Sequence, residues 1–197
     1  MGEWASYGLS DFLMFSPQTY WRLVERYNSA FWPAQMVAVA LGVALLSQAW
    51  RITGTRAGLF ILAAAWAWCG WAFHWQRYAE VFLGAPVAAF ACWAQGLLLA
   101  ACACARFDDA IRTPPVLQRA GLVLLAVAVL FYWLPPTGGE RPWARAEVFG
   151  FMPDPTALAT LGWLLATPAL PRWRRAGLAA IPALSLLLGV LTRVAIA

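Results

Sequence analysis

Six stretches of mostly apolar residues divide this chain, and most of them approach the roughly 20 residues that a helix needs to cross a bilayer. They cover about residues 33–50, 57–75, 86–105, 120–134, 155–170 and 176–195, of which the fourth and fifth are short. Of the 197 residues, 62% are hydrophobic and only 12% are charged, too few charges to cover a soluble domain. The sequence therefore predicts an all-α fold, an integral membrane bundle of about six transmembrane helices over residues 32–197.

The first 31 residues precede these stretches and predict an amphipathic leader. Ser16-Pro17 is typical of a helix start, with serine as the N-cap and proline at the first helical position. Aromatic and charged side chains then mix up to Asn28, which favours a helix lying in the plane of the membrane interface.

The loop arginines predict the orientation of the bundle, because cytoplasmic loops carry an excess of positive charge. All 14 basic residues are arginine, and eight of them fall in one set of loops. The opposite side has six arginines and seven of the nine acidic residues. We therefore expect the first set in the cytoplasm and both termini outside. The short loops indicate lipid headgroups as the partner of these arginines and not nucleic acid. The eight are Arg51, Arg56, Arg106, Arg112, Arg119, Arg172, Arg174 and Arg175.

His74, the only histidine, lies near the end of the second stretch. One interpretation is a proton-relay or ligand-binding histidine that pairs with Arg77 or Glu80. The other is an interfacial histidine within a belt of tryptophans, which is the commoner use of such a residue. A haem held by two histidines of this chain is excluded, since it would need a second histidine.

Polar residues inside the other stretches give further candidates for a polar pathway or ligand site. Cys92, Gln95, Leu99 and Cys102 share one helix face, which serves either a pathway or, more commonly, helix packing. Gln35 is a second buried polar candidate, and Arg193 is expected to snorkel to the interface.

The fifth stretch opens with Pro153-Asp154-Pro155-Thr156 and continues with Thr160 on roughly one face. Asp154 is expected to cap the helix, whose first N–H groups otherwise lack partners. If Asp154 instead lies within the bundle, it is the best acid for ion or proton coupling.

Two short blocks of the sequence carry a resemblance to a known family. The first is Tyr7-x-Leu9-Ser10-Asp11-Phe12-Leu13-x-Phe15-Ser16-Pro17, followed by Tyr20, Asn28 and Trp32-Pro33-Ala34-Gln35. The second is Phe149-Gly150-x-x-Pro153-x-Pro155-Thr156. They resemble the domain-of-unknown-function 6064 family over nearly the whole chain. The resemblance implies a multi-pass protein of the bacterial cytoplasmic membrane but no activity. Relatives often carry cysteine between the two prolines, where this chain has Asp154, so no thiol-based metal site is implied there.

Several function classes stay open at this point. The leading hypothesis is a small-solute or ion transporter or channel-like bundle, because polar residues lie on faces that can point inward. An accessory or scaffold subunit of a larger membrane complex, or a homo-oligomer, is the second hypothesis. A quinone- or haem-binding protein is the third, and no cofactor or metal is predicted otherwise. An enzyme has the least support, since the sequence contains no phosphate-binding glycine loop, nucleophile elbow or paired-histidine metal motif.

Overall fold

The computed structural model of the protein describes residues 15–49, 51, 55–107, 113–134, 142–168 and 170–196. These ranges are helical and contain no strand, so the predicted all-α class is confirmed. The leader before residue 15, which includes most of the first resemblance block, lies outside the described residues. The α-helices of the described ranges are α1 Pro17–Ala30, α2 Ala34–Gln48, α3 Thr55–Trp68, α4 Ala85–Cys104, α5 Pro115–Ala126, α6 Pro153–Ala166 and α7 Arg172–Ile196.

Two of these helices widen into π-helical segments before they end. Cys69–Trp75 continues α3, and Val127–Phe131 continues α5. The wider turn is visible in the hydrogen bonds, since the Gln76 N–H donates to the Trp71 carbonyl at 3.0 Å, five residues back. Short 3₁₀ turns follow at Tyr78–Glu80 and Trp143–Arg145. Hydrophobic spacing does not predict these π segments, because it assumes 3.6 residues per turn throughout.

Helix α1 begins where the sequence predicts. The Ser16 hydroxyl accepts a hydrogen bond from the Thr19 N–H at 3.3 Å, and Pro17 opens the first turn. Leu23, Val24 and Tyr27 are buried on one side of α1, while charged side chains occupy the other. The helix axis lies at 87° to that of α2. A helix with one apolar face therefore lies across the end of the bundle.

A helix covers most of each of the six apolar stretches, but not every helix is long enough to cross a bilayer. By length and apolar content, three qualify among the described residues: Thr55–Glu80, Ala85–Cys104 and Arg172–Ala195. A fourth is added if the bent pair α1–α2 counts as one span. The apolar helix Pro115–Phe131 is shorter, and α6 has only 14 residues. The structure therefore supports three or four candidate spans, and the count of six stays a prediction.

Close helix contacts and two large indoles form the centre of the bundle. Trp66 of α3 and Trp163 of α6 are fully buried. Helices α5 and α6 touch through their backbones, because a Cβ added at Gly162 would lie 2.6 Å from the Leu125 nitrogen. A second buried cluster joins α1 to the start of α6 and includes Tyr27, Phe73 and Met152. This cluster positions the candidate site at the same end of the bundle.

Candidate functional site

A cavity of about 240 Å³ lies between α1, α3 with its π segment, α4, α6 and α7. Aromatic and aliphatic side chains form most of its wall, including Tyr20, Phe73 and Tyr78. Leu184 and Leu188 of α7 also line it, although both are more than half exposed. The cavity is therefore open sideways along α7. Its volume exceeds the roughly 150 Å³ of an engineered protein cavity that binds benzene.

Three charged side chains meet at one end of this cavity, and we call them, together with Tyr132, the charged cluster. Arg193 Nη2 donates to the Asp154 carboxylate at 2.9 Å and also to Glu147 Oε2. The same nitrogen donates to the Tyr132 hydroxyl at 2.7 Å. The side chains of Glu147 and Asp154 are only 3% and 14% exposed, whereas that of Arg193 is 40% exposed. One guanidinium thus holds two largely buried carboxylates.

Four separate elements deliver the charged cluster. Asp154 lies in the first turn of α6 and Arg193 in the last part of α7. Glu147 follows the 3₁₀ turn Trp143–Arg145, and Tyr132 follows the second π segment. Gly189, one turn before Arg193, leaves the space that the Asp154 carboxylate occupies, since an added Cβ there would lie 2.6 Å from Asp154 Cγ.

The expected role of Asp154 as a helix cap is wrong. Helix α6 begins after Met152, whose backbone is the N-cap, and it has no side-chain cap hydrogen bond. Proline at residues 153 and 155 removes two of the N–H groups that a cap would satisfy. The Asp154 carboxylate points instead to Arg193, so the alternative interpretation of a buried acid within the bundle applies. Arg193 correspondingly binds two carboxylates, where the sequence predicted an interfacial position.

His74 lines the same cavity, on the π segment that continues α3. It is buried, and its ring lies 5.9 Å from that of Tyr78 and 5.1 Å from that of Phe73. Its Nδ1 has no hydrogen-bond partner among the described residues. Trp71 and Trp75 of the same segment are exposed, so the tryptophan belt and His74 face different sides.

Arg77 and Glu80, the proposed partners of His74, lie elsewhere. Both line a separate pocket beside α1, with Arg22 and Arg26. His74 and Asp154 therefore line the same cavity, whereas the two charged residues that follow His74 in sequence line another.

Thr156 and Thr160 hold the start of α6 against α3. The Thr156 hydroxyl accepts from the Gly150 N–H at 2.9 Å and donates to the Met152 carbonyl at 2.7 Å. Trp66 Nε1 donates to the Thr160 hydroxyl at 2.8 Å. Gly150 itself has φ of +78°, a conformation that glycine adopts without steric cost. These two predicted site residues therefore position Asp154 and line no part of the cavity.

The two glutamines also serve packing. Gln95 is fully buried and its Nε2 donates to the Leu178 carbonyl of α7 at 2.9 Å. The predicted face of α4 is correct, since Cys92, Leu99 and Cys102 are buried with it. Gln35 Nε2 donates to the Asn28 carbonyl at 2.8 Å and ties α2 to the end of α1. Of this set, only Cys92 lines the cavity.

Sequence reasoning missed Glu147, Tyr20 and Tyr132. Glu147 is one of several acids in a loop, and nothing in its neighbourhood distinguishes it from Glu140. The one available signal was Arg193, a charge within an apolar helix, which predicts a buried acidic partner without identifying it. No group of three or more His, Cys, Asp or Glu within the described ranges could hold a metal ion.

The arrangement suits a ligand with an apolar body and one polar group. Aromatic and aliphatic walls favour the apolar body, and the polar end offers charged hydrogen-bonding groups. A ligand anion could replace a carboxylate on Arg193, and a ligand cation could replace Arg193 on the carboxylates.

Comparison with known protein families gives a match. The family of unknown function DUF6064 matches residues 17–190. No curated protein and no solved structure matches the chain.

Proposed function

This chain belongs to DUF6064, a family of unknown function, and we propose that it is a multi-pass membrane protein that moves a small amphipathic solute or ion. In this proposal the cavity between His74 and Arg193 is the binding site. The bacterial cytoplasmic membrane is its location, and both termini face outward.

The surface of the helices supports a position in lipid. Large apolar side chains are exposed along the candidate spans, among them Val87, Phe90 and Leu97 of α4 and Leu187 of α7. Monomeric soluble proteins rarely expose apolar patches on this scale. In the predicted orientation the arginines at the start of α7, Arg172 and Arg174, lie on the cytoplasmic side, and the charged cluster lies at the other end of that helix.

The charged cluster is the observation that carries the transport proposal. Burying a carboxylate in an apolar bundle is costly even when it is paired, and replacing such a pair with apolar residues is often neutral for stability. Ionisable residues within membrane bundles typically mark substrate or ion pathways. Glu147, Asp154 and Arg193 all line this open cavity. A solute in the cavity can therefore reach the ion pairs that the two carboxylates form with the Arg193 guanidinium.

A flux assay in liposomes tests this proposal. The probes are protons, Na⁺ and K⁺, together with two fixed-charge aromatic ions, benzyltrimethylammonium and benzenesulfonate, which cross lipid slowly without a carrier. We expect the protein to accelerate at least one of them. Arg193→Gln should slow that flux about tenfold or more, which corresponds to about 1.4 kcal/mol of lost interaction.

Arg172→Gln is the matched control, because it removes an exposed arginine from the other end of the same helix. Arg193→Lys keeps the cation and should retain more flux than Arg193→Gln, which separates loss of charge from loss of fold. Flux no faster than in protein-free vesicles for every probe would refute transport.

A quinone-binding protein is the second candidate, and the sideways opening of the cavity at Leu184 and Leu188 favours it. A ligand that dissolves in lipid could enter through such an opening. The ultraviolet spectrum of a solvent extract of the purified protein separates the two ideas, because a bound quinone shows an absorbance change on borohydride reduction.

An accessory subunit is the remaining candidate. Val116 of α5 and Trp173 of α7 are among the large apolar side chains that are more than 70% exposed, and either lipid or another subunit could cover them. Purification in a gentle detergent tests this role. A partner that co-purifies in fixed ratio would support it, and a lone chain active in flux would contradict it.

A further inference from the structure

A second pocket, of about 620 Å³, lies at the bend between α1 and α2. Three indoles line it, and we call it the indole pocket: Trp32, Trp133 and Trp143, with Asn28 and Gln35. It shares no lining residue with the cavity at Arg193.

The two amides of the indole pocket are fixed in one orientation. Asn28 Nδ2 donates to the carbonyls of Ala144 and Ala146, at 2.8 and 2.9 Å. Gln35 Nε2 donates to the Asn28 carbonyl at 2.8 Å. Because both nitrogens already have acceptors, neither amide gains by turning over, and each presents its oxygen as an acceptor.

Both amide oxygens lack a donor among the described residues, and the Trp133 Nε1–H lacks an acceptor there. A buried polar atom without a partner costs free energy until a ligand or water supplies one. The pocket therefore calls for a group with at least two N–H or O–H donors, next to an atom that accepts from an indole.

The walls specify the charge of that group. The rings of Trp133 and Trp143 lie 5.6 Å apart, and indole faces attract cations more strongly than other aromatic rings do. No charged residue lines the pocket within the described ranges, so a headgroup with a net negative charge finds no counter-charge, whereas the ammonium and phosphate of a zwitterion neutralise each other. These features favour an ammonium that still carries hydrogens.

The exposed side of α2 indicates a lipid as the source of this ammonium. Met36 also lines the pocket and is exposed, and Ala40 and Val43 continue the exposed apolar surface along the same face of the helix. An acyl chain could lie against these side chains while the headgroup occupies the indole pocket. Tryptophan and amide side chains at a right-angled helix bend suit the depth of lipid headgroups.

We propose that the indole pocket binds the primary ammonium of a zwitterionic aminophospholipid, with its acyl chain along α2. The amide oxygens of Asn28 and Gln35 and the Trp133 Nε1 atom are buried in this structure, so the side chains of the pocket wall must shift for the ammonium to donate to these oxygens. The lipid phosphate then accepts from Trp133 Nε1–H. This inference rests on the membrane location proposed above but not on transport.

Native mass spectrometry of the full chain released from nanodiscs tests this assignment. The three lipids compared are phosphatidylethanolamine, phosphatidylcholine and phosphatidylglycerol. Retention should fall in that order, because the choline headgroup keeps the cation but has no N–H donors, whereas the glycerol headgroup has O–H donors but no cation and leaves the phosphate charge unbalanced. Trp143→Ala should lower retention of phosphatidylethanolamine about two- to fivefold, the size of one exposed cation–π contact.

Trp173→Ala is the control, since Trp173 is 71% exposed and Trp143 62%, and Trp173 lies outside the indole pocket. Equal retention of phosphatidylglycerol and phosphatidylethanolamine, or no effect of Trp143→Ala, would overturn the proposal. Equal retention of phosphatidylcholine would overturn the hydrogen-bond part. Full displacement of the lipid by free ethanolamine would overturn the lipid as its source. Flux measured in parallel distinguishes a failure of the lipid proposal from a failure of the transport proposal, because only the absence of flux refutes transport.

Discussion

Gly189 offers a way to break the Asp154–Arg193 pair without altering either charged residue. An added Cβ there would overlap the Asp154 carboxylate, lying 2.6 Å from its Cγ and closer still to both of its oxygens. We therefore expect Gly189→Ala to push Asp154 away from Arg193. Gly177, in the same helix, has nothing within 4 Å of an added Cβ, so Gly177→Ala is a matched control.

The two substitutions should change stability in opposite directions. Alanine stabilises a helix by about 0.8–1 kcal/mol relative to glycine, and Gly177→Ala should gain up to this amount. A hydrogen bond to a charged group contributes about 1.5–3 kcal/mol. In Gly189→Ala, Arg193 keeps Glu147 as a partner, and its side chain is 40% exposed. The free energy lost with the Asp154–Arg193 hydrogen bond should therefore lie in the lower part of this range. Gly189→Ala should thus be about 1 kcal/mol less stable than the wild type, and about 2 kcal/mol less stable than Gly177→Ala.

Thermal unfolding of the purified protein in detergent measures this difference. For a chain of this size, about 2 kcal/mol corresponds to a difference in Tm of about 4–8 °C. In an Asp154→Ala background the overlapping atoms are absent, so Gly189→Ala should no longer destabilise relative to Gly177→Ala. Equal Tm values for the two glycine variants in the wild-type background would refute the placement of Asp154 against α7.

Two further predictions concern the scaffold around the site. Thr156→Val should lower the free energy of unfolding by about 1–3 kcal/mol, because the Gly150 N–H loses its acceptor. Thr192→Val, which removes an exposed hydrogen bond to the Leu188 carbonyl within α7, should change it by less than about 0.5 kcal/mol. Chemical denaturation of both variants checks this, and equal effects would contradict it. Gly162→Ala should lower Tm more than any other variant here, since its Cβ would meet the α5 backbone near Leu125, and an unchanged Tm would show that α5 and α6 do not touch there.

Local signals in the sequence predicted the helices well. Ser16-Pro17 marks the start of α1 because a serine cap and a proline both act within one turn. The face of α4 that carries Cys92, Gln95 and Leu99 followed from helical spacing alone. Both depend on interactions between residues close together in the chain, which is why a single sequence contains them.

The charged cluster could not be predicted in the same way. Glu147 and Arg193 are 46 residues apart, and Asp154 and Arg193 are 39 apart, so only the packing of α6 against α7 brings them together. From nearby residues alone, Asp154 was predicted to cap its own helix, because Arg193 is distant in the sequence. The same reasoning paired His74 with its sequence neighbours, although the π segment places that side chain among Phe73, Tyr78 and the cavity.

Alkaline carbonate extraction of cell membranes tests most directly whether the apolar helices lie in lipid, on which the cavity, the flux and the lipid site all depend. The protein should stay with the membrane pellet at high pH and enter solution only when detergent is added. Recovery of the chain in the detergent-free supernatant would contradict its placement in the bilayer.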